Sequence, residues 1–166
     1  MKKLLYGGFS TLNDFGGRID EKCLIWVQGD SNDSEKCREE IIKRIKQKKI
    51  RTEGAVLIGR HCQIEDGAHL VNCCIDNFTR IGKNVTICNS AVMDRVIVGD
   101  HAEINDSIIG RHVVINSSQK NQTKIKNISV IGDDVTLEEG CLLDASKVYP
   151  HQKVKGIFNN QTLLAN

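Results

Sequence analysis

The sequence predicts a mainly β protein: a single-stranded parallel β-helix, built as a triangular solenoid behind one N-terminal capping α-helix. Three observations carry that reading. A hydrophobic share of 40% stands beside only 4% aromatic residues and a single Pro, so the apolar load rests on Ile, Val and Leu, which suit flat, extended packing. Fourteen Gly, with many Asn and Asp, supply frequent turns. From residue 58 onward, branched aliphatic residues return at a fixed interval.

That interval sets the architecture. Ile58, Ile75, Val92 and Ile109 are 17 residues apart, as are Ile64, Ile81, Val98 and Ile115, and then Leu70, Ile87 and Ile104. One circuit therefore holds segments of six, six and five residues, each opened by an inward aliphatic. A second inward position is expected four residues after each opener, at Cys62, Ala68, Cys74, Thr79, Val85, Ala91, Val96, Ala102, Ile108 and Val113. Three such faces close a prism in which each strand pairs with the strand one circuit later, about 4.8 Å away. The register breaks once. The unit after Ile109 opens at Ile131, so five extra residues enter around 117–127, as a protruding loop would require.

Ahead of the prism, residues 35–49 read as an amphipathic helix with Cys37, Ile41, Ile42 and Ile45 on one stripe and Asn32, Asp33 or Ser34 as N-cap. An open solenoid end needs covering, and this helix is its expected cap. Residues 23–28, with the only Trp, read as one strand. The chain thus divides into an extension with one strand (1–30), the capping helix (31–50), the β-helix (51–156) and a tail (157–166), Pro150 falling where the last coil ends.

A formal net charge of +2 creates no global field pointing to nucleic acid or a membrane surface. The start Met-Lys-Lys-Leu-Leu-Tyr-Gly-Gly resembles a signal peptide without the apolar stretch, so a cytoplasmic protein is expected. Seven cysteines without a Cys-x-x-Cys pair read as small buried hydrophobes rather than ligands. Five histidines with no His-x4-His spacing give no reason to expect a metal.

These residues resemble the hexapeptide-repeat, left-handed β-helix fold, and within it the C-terminal domain of sugar-1-phosphate nucleotidyltransferases. The openers from Ile58 to Leu137 carry the general signature. The short third face, Asn72-Cys-Cys-Ile75, Asn89-Ser-Ala-Val92 and Asp106-Ser-Ile-Ile109, is similar to the Asn-Ser-x-Ile punctuation of mannose-1-phosphate guanylyltransferases and glucose-1-phosphate thymidylyl- or uridylyltransferases. The ending Lys147-Val-Tyr-Pro-His-Gln-Lys-Val154 resembles the segment that closes such domains. Left-handedness comes from the resemblance, since parallel crossovers ordinarily favour the right hand. Enzymes of that family bind the nucleotide on an N-terminal Rossmann-like domain with a Gly-rich loop. Gly7-Gly8 and Gly16-Gly17 sit in no such motif, and the 49 residues ahead of the repeat are too few for that domain. The expectation is a β-helix lacking the catalytic domain, whether as a fragment, part of a split enzyme or a stand-alone relative.

Two functions then compete. In the first the β-helix serves oligomerisation or regulation without a cofactor, as a homo-oligomer (trimer first, dimer second), with a separate nucleotidyltransferase subunit as the other partner the resemblance implies. In the second it is an acyltransferase using acetyl-CoA, with His112 or His61 as general base, Arg111, Lys120 and Lys124 holding substrate phosphates, and the 117–127 loop as lid. The first-face column supports either reading. It carries Arg60, Asn77, Asp94 and Arg111 beside His61, Phe78, Arg95 and His112, with Asp133 and Asp134 after the insertion. Opposite charges stacked there would also form a simple structural ladder.

Overall fold

The computed structural model describes residues 16–20, 23–29 and 32–164. Residues 1–15, with Gly7-Gly8 and the signal-like start, lie outside them. Two strands, β1 (Gly16–Asp20) and β2 (Cys23–Val27), pair antiparallel. The helix α1 (Asn32–Lys46) follows, and then the long strand β3 (Arg51–Ile58), which pairs with β2 in parallel.

Beyond β3 the chain winds as a parallel solenoid, the fold expected from the repeat. Its ladders join the residues that the 17-residue interval puts in one column. On face 1, Ile58, Ile75, Val92, Ile109, Ile131, Val148 and Leu163 pair in succession. Face 2 runs Ile64, Ile81, Val98, Ile115, Leu137 and Val154. Face 3 runs Leu70, Ile87, Ile104, Ile125, Leu143 and Phe158. From Ile58 to Val154 the first two columns are buried throughout, and the third is buried as far as Leu143. Each buried aliphatic contributes roughly 1.5–3 kcal/mol, so the prism axis is the core.

The second inward position holds on faces 1 and 2, where Cys62, Ala68, Thr79, Val85, Val96, Ala102 and Val113 are buried. On face 3 it moves. Cys74 and Ile108 are exposed and Ala91 is half-buried, while the preceding residues Cys73, Ser90 and Ser107 are buried. The five-residue face lacks one residue before its corner, so the alternation of sides reaches the interior one position early. Hydroxyls then supply what the shortened backbone cannot: Ser107 N–H donates to Ser90 Oγ at 3.0 Å and Ser146 N–H to Ser129 Oγ at 3.1 Å.

Corners are turned by residues in the left-handed region. Between faces 1 and 2 these are His61, Phe78, Arg95, His112, Asp134 and His151, all with φ between 56° and 60°. Between faces 3 and 1 they are Asn72, Asn89, Asp106, Ala145 and Asn160, and at one coil the pair Asn127 and Ile128. That pair shows how the insertion is divided. Ile104 to Ile125 spans 21 residues and Ile109 to Ile131 spans 22, so four extra residues precede Ile125 and one more enters at the next corner.

The helix lies three residues earlier than its apolar stripe suggests. It ends in a Schellman arrangement: Lys48, at φ 57°, donates its N–H to Ile45 O at 2.9 Å, and Lys49 donates to Arg44 O at 2.9 Å. Ile41 and Ile45 are buried, and Arg44 donates to Ile64 O at 2.9 Å and Glu65 at 3.1 Å, closing the first coil.

Pro150 does not end the solenoid. Strands Lys153–Val154, Ile157–Asn159 and Thr162–Leu163 continue the three ladders, so residues 157–163 are part of the prism rather than a tail. The equivalent N–H groups of Arg60 and Arg111 donate to side chains of the next coil, Asn77 and Asp133, at 2.7 and 2.8 Å. A Pro at this position therefore removes no bond from the backbone ladder.

Candidate functional site

The polar residues singled out by the sequence meet at the corner between faces 1 and 2. His61 stacks on Phe78, ring centroids 4.9 Å apart and 7° from parallel, and the Arg95 guanidinium lies 5.6 Å from the same ring. Arg95 also pairs with Asp94 at 3.0 Å. An Arg95 Nη1 faces His112 Nε2 at 3.4 Å, His112 Nδ1 lies 3.2 Å from Asp134, and His151 Nδ1 lies 3.5 Å from the other Asp134 oxygen. One continuous stack thus crosses six coils.

Its chemistry follows from donors and acceptors. A guanidinium can only donate, so His112 accepts at Nε2 and carries its proton on Nδ1, towards Asp134. The lone pair a general base would use is directed at Arg95. Arg111 forms a two-pronged pair with Asp133, at 3.0 Å through Nε and 2.6 Å through Nη2. That bonding raises the Arg111 guanidinium above its ordinary value and holds the Asp133 carboxyl below its own. Asp94 pairs directly with Arg95 and acts on Arg111 only through its charge, while Asp133, two residues after the opener Ile131 as Arg111 is after Ile109, makes the direct bonds to Arg111.

The candidate phosphate ligands are dispersed. The loop 116–123 lies at the corner between faces 2 and 3, across the Val114–Ile115 strand from His112, so the structure does not bring it over that histidine. It is pinned from within, Thr123 Oγ1 donating to Asn116 O at 2.6 Å and Thr123 N–H to Ser117 Oγ at 3.1 Å, and to the next coil, Asn116 Nδ2 donating to Leu137 O at 2.9 Å. Lys120 is exposed on this loop. Lys124 stands on face 3, paired with Glu103 at 3.0 Å. None of the cavities described among these residues is lined by His61, His112, Arg111, Lys120 or Lys124.

Among the described residues no cluster of His, Cys, Asp or Glu could hold a metal ion, and no helix is long and apolar enough to cross a membrane. The cysteines with described side chains are free thiols. Burial pushes Cys62 up to about 12 and raises Cys141, which leaves both as inert packing groups.

What sequence reasoning missed is an outward apolar column on face 1. Leu57, Cys74, Ala91, Ile108 and Val130 succeed one another along the ladder, beside an open groove of about 600 Å³ that Asn72, Asn89, Asp106 and Ile128 also line. The signal was present in the face lengths: on a five-residue face the fourth position after the opener points out.

The fold and this corner define a β-solenoid domain whose polar residues serve mainly to bond one coil to the next. Residues 52–163 match the family described as the GMPPB C-terminal domain, and the chain belongs to that family. A mannose-1-phosphate guanyltransferase of Emericella nidulans is 31% identical over 102 residues, covering 51% of this chain and 27% of the relative. The Aspergillus fumigatus protein of the same name is 26% identical with the same coverage. A probable mannose-1-phosphate guanylyltransferase 3 of Oryza sativa subsp. japonica is 28% identical over 100 residues, covering 60% of this chain and 22% of the relative. The chain spans about a quarter of the length of these curated relatives.

Proposed function

We propose that this chain supplies the β-helix module of a mannose-1-phosphate guanylyltransferase-like protein, and that the module acts in assembly or regulation while nucleotidyl transfer takes place on a different domain or subunit. One observation carries the reading. The family match covers the solenoid, and within the solenoid the charged corner groups bond to one another, with the one well-placed histidine directed at Arg95. The arrangement suits a rigid docking body in homo-oligomers or on a separate nucleotidyltransferase subunit. Sedimentation velocity of the purified chain at 1–100 µM (a range of roughly micromolar affinities) tests it. A self-associated species is expected, with no turnover of mannose 1-phosphate with a guanosine triphosphate and no rise in melting temperature with millimolar acetyl-CoA. A chain that stays monomeric at the highest concentration, or that transfers a nucleotidyl or acyl group, overturns the proposal.

A further inference from the structure

Outward aliphatic residues stand on all three faces, Ile97 and Val114 on face 2 and Leu142 and Ile157 on face 3 among them. On face 1 they floor a groove. Leu57, Cys74, Ala91 and Ile108 run along its open volume of about 600 Å³, with the corner residues Asn72, Asn89 and Asp106 on one side. Leu57 is 41% exposed and Ile108 48%. An open apolar groove of this size marks a surface built to be covered.

The corner side of the groove ends in a negative charge. Asn72 Nδ2 donates to Asn89 Oδ1 at 3.4 Å, and Asn89 Nδ2 donates to Asp106 Oδ1 at 3.1 Å. Two neutral amides thus lead to one carboxylate beside Ile108. Among the described residues no Lys or Arg pairs with Asp106. An occupant that fits is therefore apolar along the column from Leu57 and cationic at the Ile108 end.

The chain itself carries such a segment, tethered to the same sheet. Gly16 is the ladder partner of Trp26, and Trp26 of Leu57, so residues 1–15 join the sheet at the head of this column. They hold Leu4, Leu5, Tyr6, Phe9, Leu12 and Phe15. Tyr6, Phe9 and Phe15 are three of only seven aromatic residues in the chain (four Phe, two Tyr, one Trp), and rings gain much from burial. Lys2 and Lys3 lie beyond the apolar trio, further from Gly16. The order, apolar first and cations last, is the order of the groove.

The lengths agree. From Gly16 the column passes Trp26, Leu57, Cys74 and Ala91 to reach Ile108, a distance of about 24 Å at the ordinary strand spacing. Returning from Ile108 to Asp106 adds about 7 Å. The thirteen residues from Lys3 to Phe15 reach up to about 43 Å when extended. The groove from Leu57 to Ile108 is about 14 Å long, close to the roughly 16 Å of the five residues Lys2–Tyr6. A tether this short holds the segment at an effective concentration of the order of millimolar, which favours it over a free competitor.

We infer that Lys2–Tyr6 of this same chain fills the face 1 groove, with Leu4, Leu5 and Tyr6 against Leu57, Cys74, Ala91 and Ile108, and with Lys2 and Lys3 at Asp106. The groove is then closed by an intramolecular strap that any other partner of face 1 must displace. The assignment is independent of the assembly role proposed above.

Cys74, an exposed free thiol on the groove floor, reports the cover. The test follows its modification by N-ethylmaleimide with peptide mass spectrometry. Cys37, which lines a different cavity beside the helix, is the internal reference, and circular dichroism shows that each variant is folded. Cys74 is expected to react about tenfold faster in Leu4→Asp/Leu5→Asp than in the parent, with Cys37 unchanged. Ser10→Asp, outside the strap, is expected to leave both rates alone. Lys2→Asp/Lys3→Asp should speed Cys74, and adding Asp106→Lys should slow it again. An intramolecular cover gives the same parent rate at roughly 1 µM and 100 µM. Equal Cys74 rates in the parent and Leu4→Asp/Leu5→Asp overturn the inference. Protection that grows with protein concentration assigns the groove to a second copy and also overturns it. A Ser10→Asp variant as fast as Leu4→Asp/Leu5→Asp, or no recovery in the charge-swapped variant, overturns the placement of Lys2–Tyr6.

Discussion

Asp133 joins two coils through one carboxylate: its Oδ1 accepts the backbone N–H of Arg111 at 2.8 Å while its Oδ2 accepts Arg111 Nη2 at 2.6 Å. The side-chain bond from Arg111, with its backbone N–H second, holds the Asp133 carboxyl below its usual range. Lys153 does the same for Glu138, and Asn127 followed by Lys126 does so for Asp144. For each group the folded state has the lower pKa, so the unfolded chain binds protons first as pH falls. The stability they add is complete above about pH 4, the unfolded value, and is lost as pH drops through the folded values. The urea midpoint should therefore be level from neutrality to about pH 5 and fall below about pH 4. Asp133→Asn should shallow that fall; an identical acid profile in the variant would show that this pair adds nothing.

Ile81 is 1% exposed in the middle of the face 2 column. Ile81→Asp places an unpaired carboxylate where no donor can reach it, a cost beyond the stability of a small domain. No folded protein is expected by circular dichroism. Asn84, exposed on the same coil at φ 54°, sits where Asp is also tolerated, so Asn84→Asp should lower the urea stability by less than about 1 kcal/mol. Equal tolerance of both would contradict the register.

Ser90 Oγ donates to Cys88 O at 2.6 Å and accepts the buried Ser107 N–H at 3.0 Å. Ser90→Ala removes the acceptor and strands that N–H. The expected loss is about 1–3 kcal/mol in chemical denaturation, against less than about 0.5 kcal/mol for Ile97→Thr on the outer surface of face 2. A Ser90→Ala loss as small as the control would mean that the short face does not depend on its hydroxyls.

Ile128 holds φ 60° while 79% of its surface is exposed. A β-branched residue in the left-handed region costs about 1–2 kcal/mol that Asn largely avoids. Ile128→Asn should raise the unfolding free energy by about 1 kcal/mol. A destabilised variant would show that the Ile128 side chain has packing that outweighs its backbone strain.

Much of the fold was legible before any coordinates. Columns through Ile58, Ile64 and Leu70 follow from a constant interval, because strands stacked in one register must repeat their inward residues. Departures from the interval were harder to read. The extra residues after Ile115 look like one loop, yet one of them sits at Ile128, since only coil-to-coil pairing shows where the register is restored. Pro150 looks like a stop, yet its N–H position lies outside the backbone ladder. The candidate site was legible as residue types and not as a group. His112, Arg111 and Lys120 are close in sequence, but the strand between them carries Lys120 to the next corner.

The sequence alone determined which residues share a column and that three faces close around them, because hydrophobic burial on a pleated strand has a period that one chain displays. Tertiary structure decided what each outward or corner side chain meets. Cys74, Ala91 and Ile108 became a surface because a face one residue short turns them outward. Asp133 reached Arg111, and Asp134 reached both His112 and His151, because stacking makes neighbours of residues a whole coil apart. Contacts of that kind depend on the height of a coil, which no local pattern records.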